Sequence, residues 1–122
     1  MEKREKGALY EQKAAEYLDK KGYRILERNR NFRCGELDLI VFDEITRDLV
    51  FVEVRMRAAD QEIKPEETLT LSKRRRLAAA MRRFLASSKI VVKPMGIRFD
   101  FIAFEGEALV HWKDFLSATD FL

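Results

Sequence analysis

Two stretches of this chain alternate apolar and polar residues with a strand's period of two, and both set acid where the pattern calls for core. Glu36 to Phe42 puts Glu36, Asp38, Ile40 and Phe42 on one face, and Leu49 to Arg57 puts Phe51, Glu53, Arg55 and Arg57 on one face. Their β-branched and aromatic content suits strands, and the polar stretch Asp43 to Asp48 between them predicts a hairpin. With the turn centred in Glu44 to Arg47, Asp38 falls opposite Glu53. Helical spacing governs two other regions. Gly7 to Lys21 reads as a helix stopped by Gly22, with Ala8, Ala14, Ala15 and Leu18 on one face and Tyr10 and Tyr17 at its edge. Glu11 falls near the middle of that face, so a third carboxylate is expected to point inward. A second helix, capped by Thr70 or Ser72, is expected to run to Ser87 with Leu77, Met81, Phe84 and Leu85 as its buried stripe. Tyr23 to Phe32 reads as an edge strand, and Ala58 to Thr70, acidic and containing Pro65, as a surface loop near the rim of a site. After Pro94 and Gly96, Arg98 to Phe104 and Ala108 to Trp112 read as strands joined at Glu105-Gly106-Glu107. The expected order is helix, three strands, helix, two strands, a mixed α/β (α+β) arrangement.

A length of 122 residues suits one domain over 1–122, and 47% hydrophobic with 37% charged residues reads as a globular chain. The formal charge is only +3, but the cations cluster in Arg24 to Arg33, Arg55 to Arg57 and Lys73 to Arg83. One cysteine, Cys34, excludes an internal disulfide, and one Cys with one His cannot make a zinc set. The single cysteine fits a reducing cytoplasm. The N-terminal residues lack an apolar signal core, and no run approaches the roughly 20 apolar residues of a membrane span, so no membrane association is expected.

Two carboxylates on paired strands, followed by a cation, suit metal-dependent hydrolysis of a phosphodiester. A hard cation such as Mg²⁺ or Mn²⁺ takes carboxylate oxygens, neutralises phosphate and activates water. Asp38 and Glu53 are the expected direct ligands, Glu11 a ligand directly or through water, and the Val54 carbonyl a further oxygen. Arg55, two residues after Glu53, reaches the same face and can stabilise developing charge. A structural ion pair between Glu53 and Arg55 is the plainer alternative. Three inward carboxylates from separate elements weigh toward a bound cation, because unpaired they disfavour burial. On the second helix, Arg75, Arg76, Arg82 and Arg83 surround Ala79 opposite the buried stripe. Cations at a helix N-terminus oppose its dipole, which points to a phosphate partner. Arg28, Arg30, Arg33, Arg57, Lys73, Arg75, Arg76, Arg82 and Arg83 are therefore expected to contact a nucleic-acid backbone with little base readout. Cys34 reads as a packed residue, His111 as structural or exposed, Trp112 with Phe99, Phe101 and Phe104 as sheet core, and Asp100 as the partner of Arg98.

Gly7, Tyr10-Glu11, Ala14-Ala15, Tyr17-Leu18, Gly22-Tyr23, Asn29, Arg33, Gly35 to Ile40, Phe51 to Arg55 and Arg98-Phe99-Asp100 together resemble the pattern of the YraN family of small bacterial proteins. That family is similar to archaeal Holliday junction resolvases. The resemblance implies a restriction-endonuclease-like fold, a central mixed sheet flanked by helices, with the PD-(D/E)xK nuclease arrangement. Glu11, Asp38 and Glu53 match the acidic positions of that pattern. Arg55 stands where the family usually has lysine, and arginine neither loses its proton nor presents a compact ammonium. The leading expectation is a Mg²⁺-dependent endonuclease acting on DNA, with structured DNA and a homodimer implied by the resemblance alone. The alternatives are a nucleic-acid-binding module of the same fold impaired at Arg55, and a protein-interaction domain with a structural acidic cluster.

Overall fold

Helix α1 (Lys3–Lys20), strands β1 (Tyr23–Phe32), β2 (Gly35–Asp43) and β3 (Asp48–Arg57), helix α2 (Leu71–Ser87), and strands β4 (Gly96–Glu105) and β5 (Ala108–Leu116) follow one another in a computed structural model. It describes residues 2–57, 64, 68–87 and 89–116. Most of the expected acidic loop, positions 58–63 and 65–67, lies outside the described residues. The observed order is the expected one and is consistent with a restriction-endonuclease-like fold.

The strands form one sheet in the order β1-β2-β3-β4-β5. All neighbours are antiparallel except β3 and β4, which run parallel. A parallel pair requires a crossover connection, and the segment containing α2 supplies it. Leu39 pairs with Val52 and Val41 with Val50, so the hairpin register places Asp38 beside Glu53 as the alternation requires.

Among the described residues, each face of the sheet takes one helix. Alanines let α1 approach closely: Ala14, Ala15 and Leu18 pack on Leu39, Val41, Val50, Val52, Val54, Ile102 and Phe104. On the other face, Leu77, Ala78, Ala80, Met81 and Phe84 of α2 meet Ile40, Leu49, Phe51, Phe99, Phe101 and Ala103. The central strands are thus covered on both sides, which explains their nearly continuous apolar runs. Phe104 belongs to the α1 face, its ring tilted against that of Tyr10, and so parts from Phe99 and Phe101, which the sequence grouped with it. Ala8 is exposed, because α1 starts at Lys3 and its first turns run beyond the packed part of the helix. Leu85 is only partly buried at the rim of the α2 core.

The end of the sheet at the β2–β3 turn is tied together by polar groups. Asp43 Oδ1 accepts from the amides of Ile45 and Thr46 at 2.9 and 3.2 Å. The Glu44 amide donates to the Gly22 carbonyl, and the Met95 amide to that of Arg47. Beneath them Arg98, buried, donates to Asp43, Asp100, Thr46, Asp48 and the Tyr23 hydroxyl. Asp100, fully buried, also accepts from the Asp114 amide and meets His111 Nε2 at 2.7 Å. His111 Nδ1 in turn lies 3.0 Å from the Tyr17 hydroxyl of α1. Arg98 and Asp100 are therefore the structural pair the sequence suggested, enlarged into a network that holds the α1 face.

Candidate functional site

Asp38 and Glu53 lie on the face covered by α2, near the end of the hairpin away from its turn. They line a cavity of about 200 Å³ together with Gly35, Glu36, Arg55, Lys73, Arg76 and Leu77. One wall is acidic and comes from β2 and β3; the facing wall carries Lys73 and Arg76 from the first turns of α2. Thr70 caps that helix, its hydroxyl accepting from the Lys73 amide at 3.3 Å. Gly35 permits the close approach, since a Cβ there would stand 3.0 Å from the Arg76 carbonyl oxygen.

Burial makes the acidic pair electrostatically tense. Glu53 is 4% exposed. Its carboxyl is pushed well above the usual range by burial first, then by hydrogen bonding to Asp38 and by the Asp38 charge; Arg55 opposes the shift. Asp38 Oδ2 is anchored by the Val54 amide at 2.9 Å. Arg55 Nη1 lies 2.9 Å from Glu53 Oε1 and 3.9 Å from Asp38 Oδ2, and donates to the Val54 carbonyl at 3.1 Å. The structural ion pair weighed from the sequence is therefore present, and it includes the carbonyl named as a further oxygen.

Glu11 stands apart from the pair. It sits on α1, which covers the opposite face, where the Asn29 side chain favours its charged form. Asn29 adopts φ 49°, a left-handed conformation that asparagine tolerates. Even so, Glu11 feels the cluster: its pKa rises to about 7, through burial first and then the charges of Asp38 and Glu36. Arg55 connects the two places, for it also lines the cleft of Gly7, Tyr10 and Glu11. Among the described residues, no three acidic, histidine or cysteine groups come close enough to share one metal ion. Asp38, Glu53 and the Val54 carbonyl are hard-oxygen donors and suit Mg²⁺ or Mn²⁺ in kind.

The expected cationic contacts do not form one patch. Lys73 and Arg76 face the acidic pair. Arg30 pairs with Glu27 and lies over the Phe32 and Phe84 rings, whereas Arg28 bonds to Gln12 of α1. Arg33, Arg75, Arg82 and Arg83 are exposed. Arg57, exposed, donates to the Met56 carbonyl and borders the Glu11 cleft. Glu36 was not singled out from the sequence, although it shares the period-two face of Asp38. The helix cap, Cys34 in a partly buried packing position and the structural His111 are as the sequence suggests.

A five-stranded mixed sheet that carries, among the described residues, one helix on each face, with a buried carboxylate pair under the basic start of α2, defines a small mixed α/β protein with a charged cleft. Residues 10–104 match Uncharacterised protein family UPF0102, and the chain belongs to this family, to which the YraN-like motifs point. A UPF0102 protein of Mannheimia succiniciproducens is 37% identical over 116 residues, covering 93% of this chain and 96% of the relative. One of Vibrio cholerae is 44% identical over 100 residues, 82% of this chain and 80% of its own. One of Haemophilus influenzae is 38% identical over 102 residues, 84% of each chain.

Proposed function

We propose that this chain binds nucleic acid and hydrolyses phosphodiester bonds with Mg²⁺ or Mn²⁺, as a restriction-endonuclease-like nuclease of the PD-(D/E)xK type. The observation that carries the reading is the side-by-side placement of Asp38 and Glu53 on paired strands, facing Lys73 and Arg76 across a cavity. Asp38, Glu53 and the Val54 carbonyl would hold the cation, with Glu11 reaching it through water. When bound, such an ion neutralises phosphate charge and lowers the pKa of water. The protein's own contribution is positioning. Asp38 is fixed by the Val54 amide, Lys73 and Arg76 face the place where a phosphate would lie, and exposed Arg33, Arg75, Arg82 and Arg83 offer sequence-independent backbone contacts. The resolvase resemblance favours DNA, structured forms included, and a homodimer, and the single cysteine fits action in the cytoplasm.

A second reading, a binding module of the same fold without hydrolysis, is favoured by the contact of Arg55 Nη1 with Glu53 and the Val54 carbonyl. Cleavage of linear, flapped and four-way-junction DNA in Mg²⁺ and Mn²⁺ tests the first reading, with Asp38→Asn and Glu53→Gln as inactive controls. Salt-dependent DNA binding with cleavage absent in the wild type but present in Arg55→Lys supports the second. Neither binding nor cleavage overturns both and leaves a structural acidic cluster. Joint neutralisation of Arg75, Arg76, Arg82 and Arg83 should weaken DNA binding and flatten its salt dependence; unchanged affinity would remove α2 from the interface.

A further inference from the structure

The oxygens proposed to hold a divalent ion already have a cation among them. Arg55 Nη1 is 2.9 Å from Glu53 Oε1, 3.1 Å from the Val54 carbonyl oxygen and 3.9 Å from Asp38 Oδ2. These are the three donors named for the metal. Glu53, Val54 and Arg55 are consecutive, so the guanidinium reaches them by folding back along its own strand. A guanidinium nitrogen and a divalent ion cannot share one set of oxygens, because two cations at that spacing repel strongly in a partly buried site.

We propose that Arg55 is a tethered counter-cation of the Asp38–Glu53 pair, which a divalent ion must displace to bind. The inference rests on the metal-site reading above and concerns how this chain controls access to that site. The Arg55 side chain is 26% exposed whereas that of Glu53 is 4% exposed, so the guanidinium has a way out that the carboxylate lacks. Its exit is already lined. Arg55 borders the cleft that contains Glu11, which offers the displaced guanidinium a second acidic partner. Movement between the two requires rotation of one side chain and no change in β3. Arginine suits this closure better than lysine, since it keeps its charge beside the pair where a desolvated lysine can lose its proton. Metal affinity is then lower than the carboxylates alone would give, and loss of Arg55 leaves a buried acidic pair that a divalent ion can restore.

Mn²⁺ binding to the full chain, read by the electron paramagnetic resonance signal of free Mn²⁺, and thermal melting with and without Mn²⁺ test this in wild type, Arg55→Gln and Asp38→Asn. Arg55→Gln should bind Mn²⁺ about tenfold more tightly than wild type, a typical coupling between charges in one network. It should also melt lower than wild type without Mn²⁺ and regain the difference when Mn²⁺ is added. If Arg55→Gln does not fold, Arg55→Lys carries the same test, with tighter binding than wild type expected and equal binding overturning the proposal. Equal Mn²⁺ affinity in wild type and Arg55→Gln, abolished in both by Asp38→Asn, would refute the counter-cation while leaving the metal site standing. Absence of Mn²⁺ binding in all variants would remove the metal site and the proposal together.

Discussion

Arg98→Met tests how the polar end of the sheet supports the fold. The substitution keeps an apolar stem but removes a guanidinium that donates to Asp43, Asp100 and the Tyr23 hydroxyl at 3.0 Å or less, and to Thr46 and Asp48 at 3.3 and 3.4 Å. Asp43 and Asp100 are 3% and 0% exposed, so their charges would lose their main cationic partner without gaining water. Removing one partner of a buried ion pair costs about 3–5 kcal/mol. With an unfolding entropy near 2.1 cal/mol/K per residue, a chain of this length should lose about 12–20 °C in Tm. The loss has a pH signature. Burial alone would raise the pKa of Asp43 and of Asp100, but the hydrogen bonds each receives, those of Arg98 included, hold both below the ordinary 3.8. In the wild type this stabilisation is fully present above 3.8 and is lost as pH falls through the depressed folded values. In Arg98→Met the same carboxyls are buried with less compensation, so their cost shrinks as acid protonates them. Urea unfolding at pH 7 and pH 3.5 should therefore show a gap between the proteins that narrows by about 1 kcal/mol or more at the lower pH, the equivalent of one pKa unit. Arg98→Lys should recover less than half of the loss, because one ammonium cannot reach Asp43, Asp100 and Tyr23 together. A loss under about 1.5 kcal/mol at pH 7, well below the cost of breaking a buried pair, or a gap independent of pH, would show that Arg98 does not hold these carboxylates.

Glu11→Gln should stabilise the protein at pH 8 and leave it unchanged at pH 4. A carboxyl raised to about 7 contributes most below its ordinary 4.5 and loses that contribution as pH rises through 7. Because the side chain is partly open to solvent, the gain is about 1 kcal/mol, discounted for screening and read as a flatter dependence of Tm on pH. Gly35→Ala should cost about 1–2 kcal/mol in urea unfolding, because its Cβ would meet the Arg76 carbonyl oxygen at 3.0 Å and push α2 from the cavity; an unchanged midpoint would show that the helix yields freely.

The sheet was largely legible in the sequence because its signals are local. Alternation over Glu36 to Phe42 and Leu49 to Arg57, with a polar turn between them, placed Asp38 beside Glu53 without any long-range information. Strand ends were less legible: β5 runs to Leu116, past the expected Trp112, because polar Lys113 and Asp114 carry no apolar alternation. Which face each helix covers depends on tertiary packing. Glu11 does lie toward the protein, as its helical arc implied, but α1 takes the valine face of the sheet whereas Asp38 and Glu53 turn toward α2. The Arg98 network was legible only as the pair Arg98 and Asp100. Tyr17, Tyr23, Asp43 and His111 join it from four other elements, a convergence that no spacing along the chain reports. Arg55 was legible as a cation on the right face, but its fold back onto the Val54 carbonyl was not.

The functional reading stands on Asp38 and Glu53 being the seat of a divalent cation. Crystals of Arg55→Gln soaked in Mn²⁺, with diffraction recorded for the anomalous signal of manganese, would locate that cation. One strong peak is expected in contact with the carboxylates of Asp38 and Glu53 and the Val54 carbonyl, and a weaker peak there in the wild type at the same Mn²⁺ concentration. No peak at that position in Arg55→Gln, or one held by other residues, would mean that Asp38 and Glu53 do not seat the ion.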